Sequence, residues 1–297
     1  MPTAPMTSSV PPVLCGLRAI APQYDAFLVD LWGVIHDGVR PFPGASDALR
    51  ALASAGRPVV FVTNSSRTGA RVADMLSEMG IGPELYRAVV SSGDVTRDAL
   101  IARDAGVFGL LPEQPRCWHF GDRAFVPWLF ELGLSFVDEL ANADLVVATG
   151  GVADDAGLAR VRRLLAPAAA RGLPLVCTNP DRVIPGAAGL TLGPGAVARA
   201  YTQLGGRVFL YGKPHAPIYE AARRHLAQVP TSRLVAIGDL LETDIQGARA
   251  ARIASVLITQ TGGHAVALGT APGCAALGAA FRAAEVTPDM LLERFAW

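Results

Sequence analysis

The strongest constraint on the fold is the alternation along the chain of short apolar runs and stretches with helical spacing. Strands are predicted at 26–30, 58–63, 88–91, 118–120, 144–149, 174–178, 208–211, 234–237 and 255–259. Between the first two runs, Ala45, Leu49 and Leu52 recur at helical spacing, and this alternation is typical of βαβ units in a parallel sheet. The sequence therefore predicts an α/β fold. We expect one core sheet to contain the runs at 26–30, 58–63, 88–91, 208–211, 234–237 and 255–259, and the middle runs to form a second α/β unit.

Charge and composition exclude several classes of partner. The 297 residues contain 26 Lys and Arg against 26 Asp and Glu, so no net field favours a nucleic acid polymer or an anionic membrane. The longest uncharged stretch, 253–281, contains six glycines and prolines, which argues against a membrane-spanning helix. We expect neither partner.

Cysteine usage and the N-terminus predict a cytoplasmic protein. The four cysteines are widely scattered and form no CxxC pair, so they are interpreted as reduced thiols. The first charged residue is Arg18, and the N-terminus lacks the basic region and apolar stretch of a secretory signal. The Pro- and Ser-containing residues 1–13 are expected to lack fixed structure.

Polar residues follow four of the predicted strands. Asp30 ends the first run, Thr63 and Asn64 follow the second, and Lys213 and Asp239 come after later ones. The carboxyl ends of parallel strands border one crevice, where chemistry gathers in open α/β sheets. A carboxylate nucleophile facing a phosphate needs a hard cation, and nearby acids can supply its oxygen ligands. A hydroxyl and a lysine can neutralise the phosphoryl oxygens.

Four motifs carry a family resemblance. They are DLWGV at 30–34, FVTNSS at 61–66, YGKP at 211–214 and GDLLETD at 238–244. In order and spacing they resemble the motifs of haloacid-dehalogenase-type phosphatases. FVTN, the TNPD at 178–181 and GKPHAPIY further resemble subfamily IIA, which contains the NagD nucleotidase and pyridoxal phosphate phosphatases. The resemblance covers nearly everything beyond residue 18.

The resemblance implies a Rossmann-like parallel-sheet core with an inserted α/β cap of the C2 type. The core would comprise 1–92 and 207–297, and the cap would be 93–206, inserted after the third core strand. In the resembling subgroup, dimers formed through the caps are common, so a homodimer is compatible with this arrangement.

The resemblance also assigns roles at the phosphate. Asp30 would attack phosphorus and become a transient aspartyl phosphate. Thr63 would bind a phosphoryl oxygen through its hydroxyl, the Asn64 backbone amide would donate a hydrogen bond, and Lys213 would bind both nucleophile and phosphate.

Mg²⁺ is the cofactor that the resemblance implies. Its ligands would be Asp30, the main-chain carbonyl of Trp32, and Asp239. Asp244 is expected outside the immediate ligand set, as a residue that orients the ligands.

Trp32 departs from the family pattern, because phosphatases of this family usually carry at that position an aspartate that protonates the leaving oxygen. Indole cannot act as that acid. Losing general acid assistance would add about 3 to 5 kcal/mol to the barrier. Either another group, with His36, Asp37 and His215 nearest in sequence, supplies the proton, or the leaving group departs unaided, or hydrolysis has been lost. For His36 and Asp37 a role in loop order is the commoner interpretation.

The predicted cap should select the substrate, since a lid over the phosphate also contacts the group that carries it. Thr178, Asn179 and Asp181 are the candidates, although 179–181 is also a good turn sequence. The partner would be a small phosphorylated metabolite: a sugar phosphate, a nucleotide or pyridoxal phosphate.

Two other classes of function remain open. Gly-rich segments follow strands at 149–151 and 261–263, but neither completes the GxGxxG of a dinucleotide-binding oxidoreductase. The second alternative is a catalytically weak phosphate-binding or regulatory protein of the same fold, in which Trp32 marks lost turnover. The retained nucleophile Asp30 argues against it, because a second anion would weaken phosphate binding.

Overall fold

The computed structural model describes residues 10–186 and 189–297, which form two compact units. Unit 1 contains the segment ending at Phe61, with Ser77–Ala88 and Arg223–Trp297, and unit 2 contains Val62–Leu76 and Val89–Ala222. The predicted cap, 93–206, is part of the second segment of unit 2. The bounds predicted for the core and the cap stay a prediction.

The described strands are β1 Val13–Leu14, β2 Ala26–Val29, β3 Val59–Thr63, β4 Ala88–Ser91, β5 Arg116–Phe120, β6 Ser135–Phe136, β7 Leu145–Ala148, β8 Pro174–Cys177, β9 Val183–Gly186, β10 Gly189–Leu192, β11 Arg207–Leu210, β12 Leu234–Gly238, β13 Ala254–Ile258 and β14 Met290–Leu292. The described α-helices are α1 Ala45–Ser54, α2 Gly69–Glu78, α3 Ser92–Ile101, α4 Ala105–Phe108, α5 Pro127–Phe130, α6 Asp155–Ala170, α7 Pro194–Gln203, α8 Ala216–Arg224, α9 Gln246–Ala250, α10 Gly262–Leu268 and α11 Cys274–Ala283.

A seven-stranded sheet has the order β1-β14-β13-β12-β2-β3-β4. β2 lies at its centre and pairs in parallel with β12 and β3. Every residue of β2, β3 and β12 is buried. Parallel strands that are covered on both faces have continuous apolar sequences. This explains why the apolar runs in the sequence predict these three strands. The predicted α/β fold with a parallel, Rossmann-like sheet is confirmed.

Unit 2 contains a five-stranded parallel sheet with the order β11-β8-β7-β5-β6. Its longest helix, α6, begins where the Asp154 carboxylate accepts a hydrogen bond from the Gly157 amide at 2.7 Å, a standard N-cap. α6 packs Val161 and Leu165 into the core of this unit. β9 and β10 form a separate antiparallel pair.

The expectation that 208–211 belongs to the core sheet is wrong. β11 pairs in parallel with β8, with Val208 opposite Leu175. The helix α7 connects the preceding hairpin to β11 and returns the chain to the sheet of β8, as a crossover in a βαβ unit does. An apolar run indicates a strand but does not indicate which sheet it joins.

The N-terminus, the cysteines and the helix lengths bear on three further expectations. Residues 1–9 lie outside the described residues, but Val13 forms β1, and the Leu291 amide donates to the Pro12 carbonyl at 2.9 Å, so the expected lack of structure is wrong there. The four cysteines are free thiols, as predicted. In the described ranges, no helix is both long and apolar enough to cross a bilayer.

Candidate functional site

Three carboxylates converge at the carboxyl edge of the seven-stranded sheet, within unit 1. Asp30 directly follows β2 and Asp239 directly follows β12, and the Asp30 amide donates to the Ile237 carbonyl at 2.9 Å. Asp244 lies in the π-helical turn Leu241–Ile245. One ligand oxygen from each of the three carboxylates lies within 4.8 Å of the others. Asp30 and Asp239 therefore lie together at one sheet edge, and their binding of a metal stays a prediction.

This donor set fits a hard divalent cation. Asp239 is fully buried and Asp244 is 4% exposed, and clustered buried carboxylates repel one another unless a positive charge compensates them. Mg²⁺ and Ca²⁺ take oxygen ligands, and oxygens on opposite sides of Mg²⁺ lie about 4 Å apart. The three carboxylates therefore form a group of the size that one such ion requires.

Glycines leave the space that Asp239 occupies. A Cβ on Gly33 would lie 2.3 Å from Asp239 Oδ2, and a Cβ on Gly262 would lie 2.1 Å from the same atom. Both glycines have positive φ, at +86° and +69°. The Gly263 amide donates to Asp239 Oδ2 at 2.5 Å, and the Thr261 hydroxyl donates to the Gly33 carbonyl at 2.6 Å. The segment 261–263, considered in the sequence only as an incomplete dinucleotide motif, therefore orients a predicted metal ligand.

Asp244 is positioned by the main chain as well. Its Oδ2 accepts a hydrogen bond from the Leu240 amide at 3.1 Å. A Cβ on Gly238 would lie 2.1 Å from the Asp244 carboxyl carbon. The role of Asp244 in orienting the metal ligands stays a prediction.

The Trp32 side chain belongs to the turn that follows β2. Its indole N–H donates to the Asp37 carbonyl at 3.2 Å, and the Gly33 amide donates to the His36 carbonyl at 2.9 Å. Trp32 and His36 form an isolated parallel β-bridge. The indole therefore stabilises the turn, while the main-chain carbonyl of Trp32 remains the group that the family resemblance assigns to the metal.

The neighbouring candidate acids are engaged in turn structure. The Asp37 carboxylate accepts hydrogen bonds from the amides of Arg40 and Val39, both at 2.9 Å, and these bonds lower the pKa of Asp37 below its usual value. His36 Nδ1 accepts from the Gly38 amide at 3.0 Å, and burial lowers the pKa of His36. Asp37 is therefore ionised and His36 neutral near pH 7.

A polar network within unit 2 surrounds the loop after β3. The Asn64 carboxamide accepts from the Lys213 amide at 2.7 Å and donates to the Lys213 carbonyl at 3.1 Å. It also donates to Asp181 Oδ1 at 2.8 Å. The sequence prediction used only the Asn64 backbone amide, so this side-chain contact with the Lys213 main chain is a role that sequence reasoning missed. Lys213 is 4% exposed.

The predicted cap residues contact the same loop. Thr178 and Ser66 share a hydrogen bond between hydroxyls at 2.6 Å, and the Trp128 indole donates to the Ser66 carbonyl at 3.0 Å. Asn179 accepts from the Asp181 amide at 2.8 Å, which is the turn contact that its sequence also allowed. The structure therefore brings Thr178 and Asp181 to the loop at 63–66, and Ser66 is an additional member. Contact of these residues with a substrate stays a prediction.

Two predicted groups in unit 2 make smaller contributions to this network. Thr63 ends β3, and its hydroxyl accepts from the Ser65 amide at 3.3 Å. His215 follows Lys213 by two residues, its amide donates to the Gly212 carbonyl at 2.8 Å, and burial lowers the pKa of its imidazole.

By fold and site, the protein is an α/β protein that gathers three carboxylates beyond the ends of its parallel strands, a group that suits a hard divalent cation, and comparison with known proteins gives the family. A family model described as haloacid dehalogenase-like hydrolase matches residues 27–135, and a second, HAD-hydrolase-like, matches 210–291. The 5′-nucleotidase YutF of Bacillus subtilis (strain 168) is 30% identical over 240 residues, covering 79% of this chain and 87% of the relative.

Solved structures agree with these matches. A haloacid dehalogenase-like hydrolase from Brucella suis 1330 has a TM-score of 0.77 and 32% identity, covering 95% of this chain and 99% of that chain. A glycerol phosphate phosphatase from Mycobacterium tuberculosis, in complex with calcium, has a TM-score of 0.61 and 27% identity, covering 82% and 68%. The chain belongs to the haloacid dehalogenase-like hydrolase family. The predicted resemblance is confirmed, and the predicted enzyme class, phosphoric monoester hydrolase, is supported with the substrate unspecified.

Proposed function

We propose that this protein is a Mg²⁺-dependent phosphatase of a small phosphorylated metabolite, acting through an aspartyl phosphate on Asp30. The observation that carries the proposal is the convergence of the Asp30, Asp239 and Asp244 carboxylates within 4.8 Å in a chain of this family. Asp30 is the most exposed of the three, which suits a group that must meet a substrate.

In the proposed reaction, a carboxylate oxygen of Asp30 attacks phosphorus, the bond from phosphorus to the leaving oxygen breaks, and the leaving oxygen takes a proton from water, since Trp32 supplies none. Water then attacks the phosphorus of the aspartyl phosphate, releasing inorganic phosphate and restoring Asp30. Asp30, Asp239 and the Trp32 carbonyl would bind Mg²⁺, with Asp244 orienting them. The ion would supply positive charge that offsets repulsion between nucleophile and phosphate.

Thr63, the Asn64 amide and Lys213 are proposed to bind the phosphoryl oxygens. Hydroxyl, amide and ammonium donors stabilise the charge that spreads over these oxygens in the transition state. Asn64 supports this role because its side chain positions the Lys213 main chain through two hydrogen bonds.

The substrate is proposed to be a nucleotide, a sugar phosphate or pyridoxal phosphate. One relative is the 5′-nucleotidase described above, and another relative, an acid sugar phosphatase from Staphylococcus aureus, is 29% identical to this chain. We propose that Thr178, Asn179 and Asp181 contribute to substrate selection. A cytoplasmic location stays our proposal, in line with the free thiols.

Phosphate release from a panel of these esters, with and without Mg²⁺, tests the proposal. We expect turnover that EDTA abolishes and that Asp30→Asn reduces by at least about a thousandfold, because the nucleophile is lost. Asp47→Asn, a surface substitution in α1, is the matched control. Turnover unchanged in Asp30→Asn would contradict the proposal.

A second function, a weakly active phosphate-binding protein, is favoured by one observation. The Trp32 side chain contacts the Asp37 carbonyl and supplies no acid. This alternative predicts that the wild type binds phosphate and Mg²⁺ without turning over any ester or acyl phosphate, so the same panel separates the two functions.

A further inference from the structure

A cavity of about 510 Å³ lies within unit 2. It is lined by Arg67, Arg71, Arg97, Phe125, Trp128 and Glu131, with Thr68, Ala124 and Pro127. None of these residues belongs to the set proposed to bind the substrate phosphate. Three arginines against one glutamate make the lining basic.

Arg67 is the central residue of this cavity. Its guanidinium carbon lies 4.4 Å from the centroid of the Phe125 ring, and among the described residues it has no carboxylate within ion-pair distance. Burial, and then the charge of Arg71, lower the pKa of Arg67. Within the described part of the chain, the protein therefore keeps a half-buried cation next to a like charge, with the Phe125 ring face as its partner. An anionic ligand would compensate this charge.

The other two arginines can contribute to the same ligand. Arg97 lies 3.4 Å from Asp94 and 3.3 Å from Asp98, and Arg71 lies 3.7 Å from Asp74. The Arg71–Asp74 pair is exposed on both sides and contributes little stability, so an anion in the cavity can redirect the Arg71 guanidinium. The Arg97–Asp94 pair is partly buried, so Arg97 adds positive charge to the lining from its present position. A guanidinium lying over a ring keeps its N–H edge available, and that edge matches the oxygens of a phosphate.

Aromatic side chains add apolar surface to the lining, beside the polar Thr68 and Glu131. Phe125 is a large hydrophobic side chain that is 48% exposed, whereas Trp128 is buried at 5%. An exposed phenyl ring beside an arginine suits a ligand with an organic group as well as an anionic one.

We propose that this cavity, the Arg67 pocket, binds a small organic phosphate, with the phosphate at Arg67 and the organic group against Phe125. The pocket adjoins the loop at 63–66: the Arg67 amide donates to the Ser65 hydroxyl at 3.2 Å, and Trp128 donates to the Ser66 carbonyl. A molecule bound in the Arg67 pocket would be additional to the substrate. It would contact Arg67 and Trp128, which form hydrogen bonds with the loop at 63–66.

Calorimetric titration with phenylphosphonate, whose carbon–phosphorus bond resists phosphatases, tests the pocket without using turnover. The titration is done in EDTA on Lys213→Met, which removes the cation proposed to bind substrate phosphate. We expect one phenylphosphonate per chain. Adding Arg67→Gln should weaken this binding at least about tenfold, the loss expected for a charged hydrogen bond.

The matched control is Arg123→Gln in the same background. The Arg123 guanidinium also lies over a ring, 4.5 Å from the centroid of Phe130, but it does not line the cavity, so binding should be unchanged. Arg67→Lys keeps the charge and should weaken binding less than Arg67→Gln.

Equal binding by Lys213→Met with and without Arg67→Gln, in variants with cooperative thermal unfolding, would overturn the proposal. Absence of binding in Lys213→Met would overturn it too. Neither result depends on the activity of Asp30, so failure of the pocket and failure of the proposed function are distinguishable.

Discussion

The carboxylate site of unit 1 and the polar network of unit 2 are built in different ways. In unit 1, Asp239 and Asp244 accept hydrogen bonds from backbone amides, and Gly33 and Gly262 leave the space that Asp239 needs. In unit 2, side chains from segments distant in sequence make the contacts, with one another as in Thr178 and Ser66, and with the main chain as in Asn64 and Lys213.

This difference explains how the site of unit 1 accommodates Trp32. The group assigned to the metal at that position is a carbonyl, which every residue has, and the indole contacts the turn instead. The side chain at position 32 can therefore differ, and with it the supply of a proton, while the main-chain carbonyl stays in place. The network of unit 2 lacks this tolerance, because Asn64 uses both polar atoms of its carboxamide.

Of the variants that compare the two units, Trp32→Asp is expected to have the largest effect, and it tests whether the side chain at position 32 is independent of the carboxylate site in unit 1. Restoring a general acid should raise kcat for alkyl phosphates by about 10²-fold or more. Aryl phosphates, whose leaving groups are acidic, should gain less. Steady-state rates on both ester types measure the ratio.

Trp32→Phe is the control for that substitution. It removes the hydrogen bond to the Asp37 carbonyl without supplying a proton, so it should cost about 1 kcal/mol of stability and give no rate gain. A folded Trp32→Asp protein with wild-type rates would show that another group already donates the proton.

A second prediction tests whether glycine positions Asp239. Gly262→Ala should weaken Mg²⁺ binding about 10-fold to 100-fold, the effect typical of changing a group that orients a ligand. The added Cβ would meet Asp239 Oδ2. Mg²⁺ titration measures the change.

Gly56→Ala is the matched control because Gly56 has φ of +67°, against +69° for Gly262, and a Cβ there meets nothing within 4 Å. Both substitutions should cost about 1 to 2 kcal/mol of stability from the left-handed backbone. If both lower Mg²⁺ affinity equally, backbone strain rather than Asp239 is responsible.

The smallest of these effects is expected in unit 2, from Asn64→Ala. The Lys213 amide loses its acceptor in a buried setting, which costs about 1 to 3 kcal/mol, and we expect KM for phosphate esters to rise about tenfold. Thr202→Ala removes a side-chain hydrogen bond to the Ala198 carbonyl within α7, outside the polar network, and should leave KM unchanged. Equal KM values for the two variants would remove the proposed link between Asn64 and Lys213.

Much of the site in unit 1 could be predicted from sequence, because carboxylates directly after buried strands share one sheet edge whatever the details of packing. Asp30 and Asp239 are of this kind. The roles of Ser66, the Asn64 side chain and Gly262 could not be predicted, since they depend on which residues distant in sequence become neighbours. The sheet of β11 was mispredicted for the same reason: its apolar run is compatible with either sheet.

The most direct test of the account is chemical trapping of the intermediate on Asp30. Slow release is expected because Trp32 cannot activate water, so acid quench followed by borohydride reduction and peptide mass analysis should find Asp30 converted to homoserine only when Mg²⁺ and a phosphate ester are both present. Sustained ester hydrolysis with Asp30 unmodified at every quench time, and with another carboxylate reduced in its place, would contradict the account.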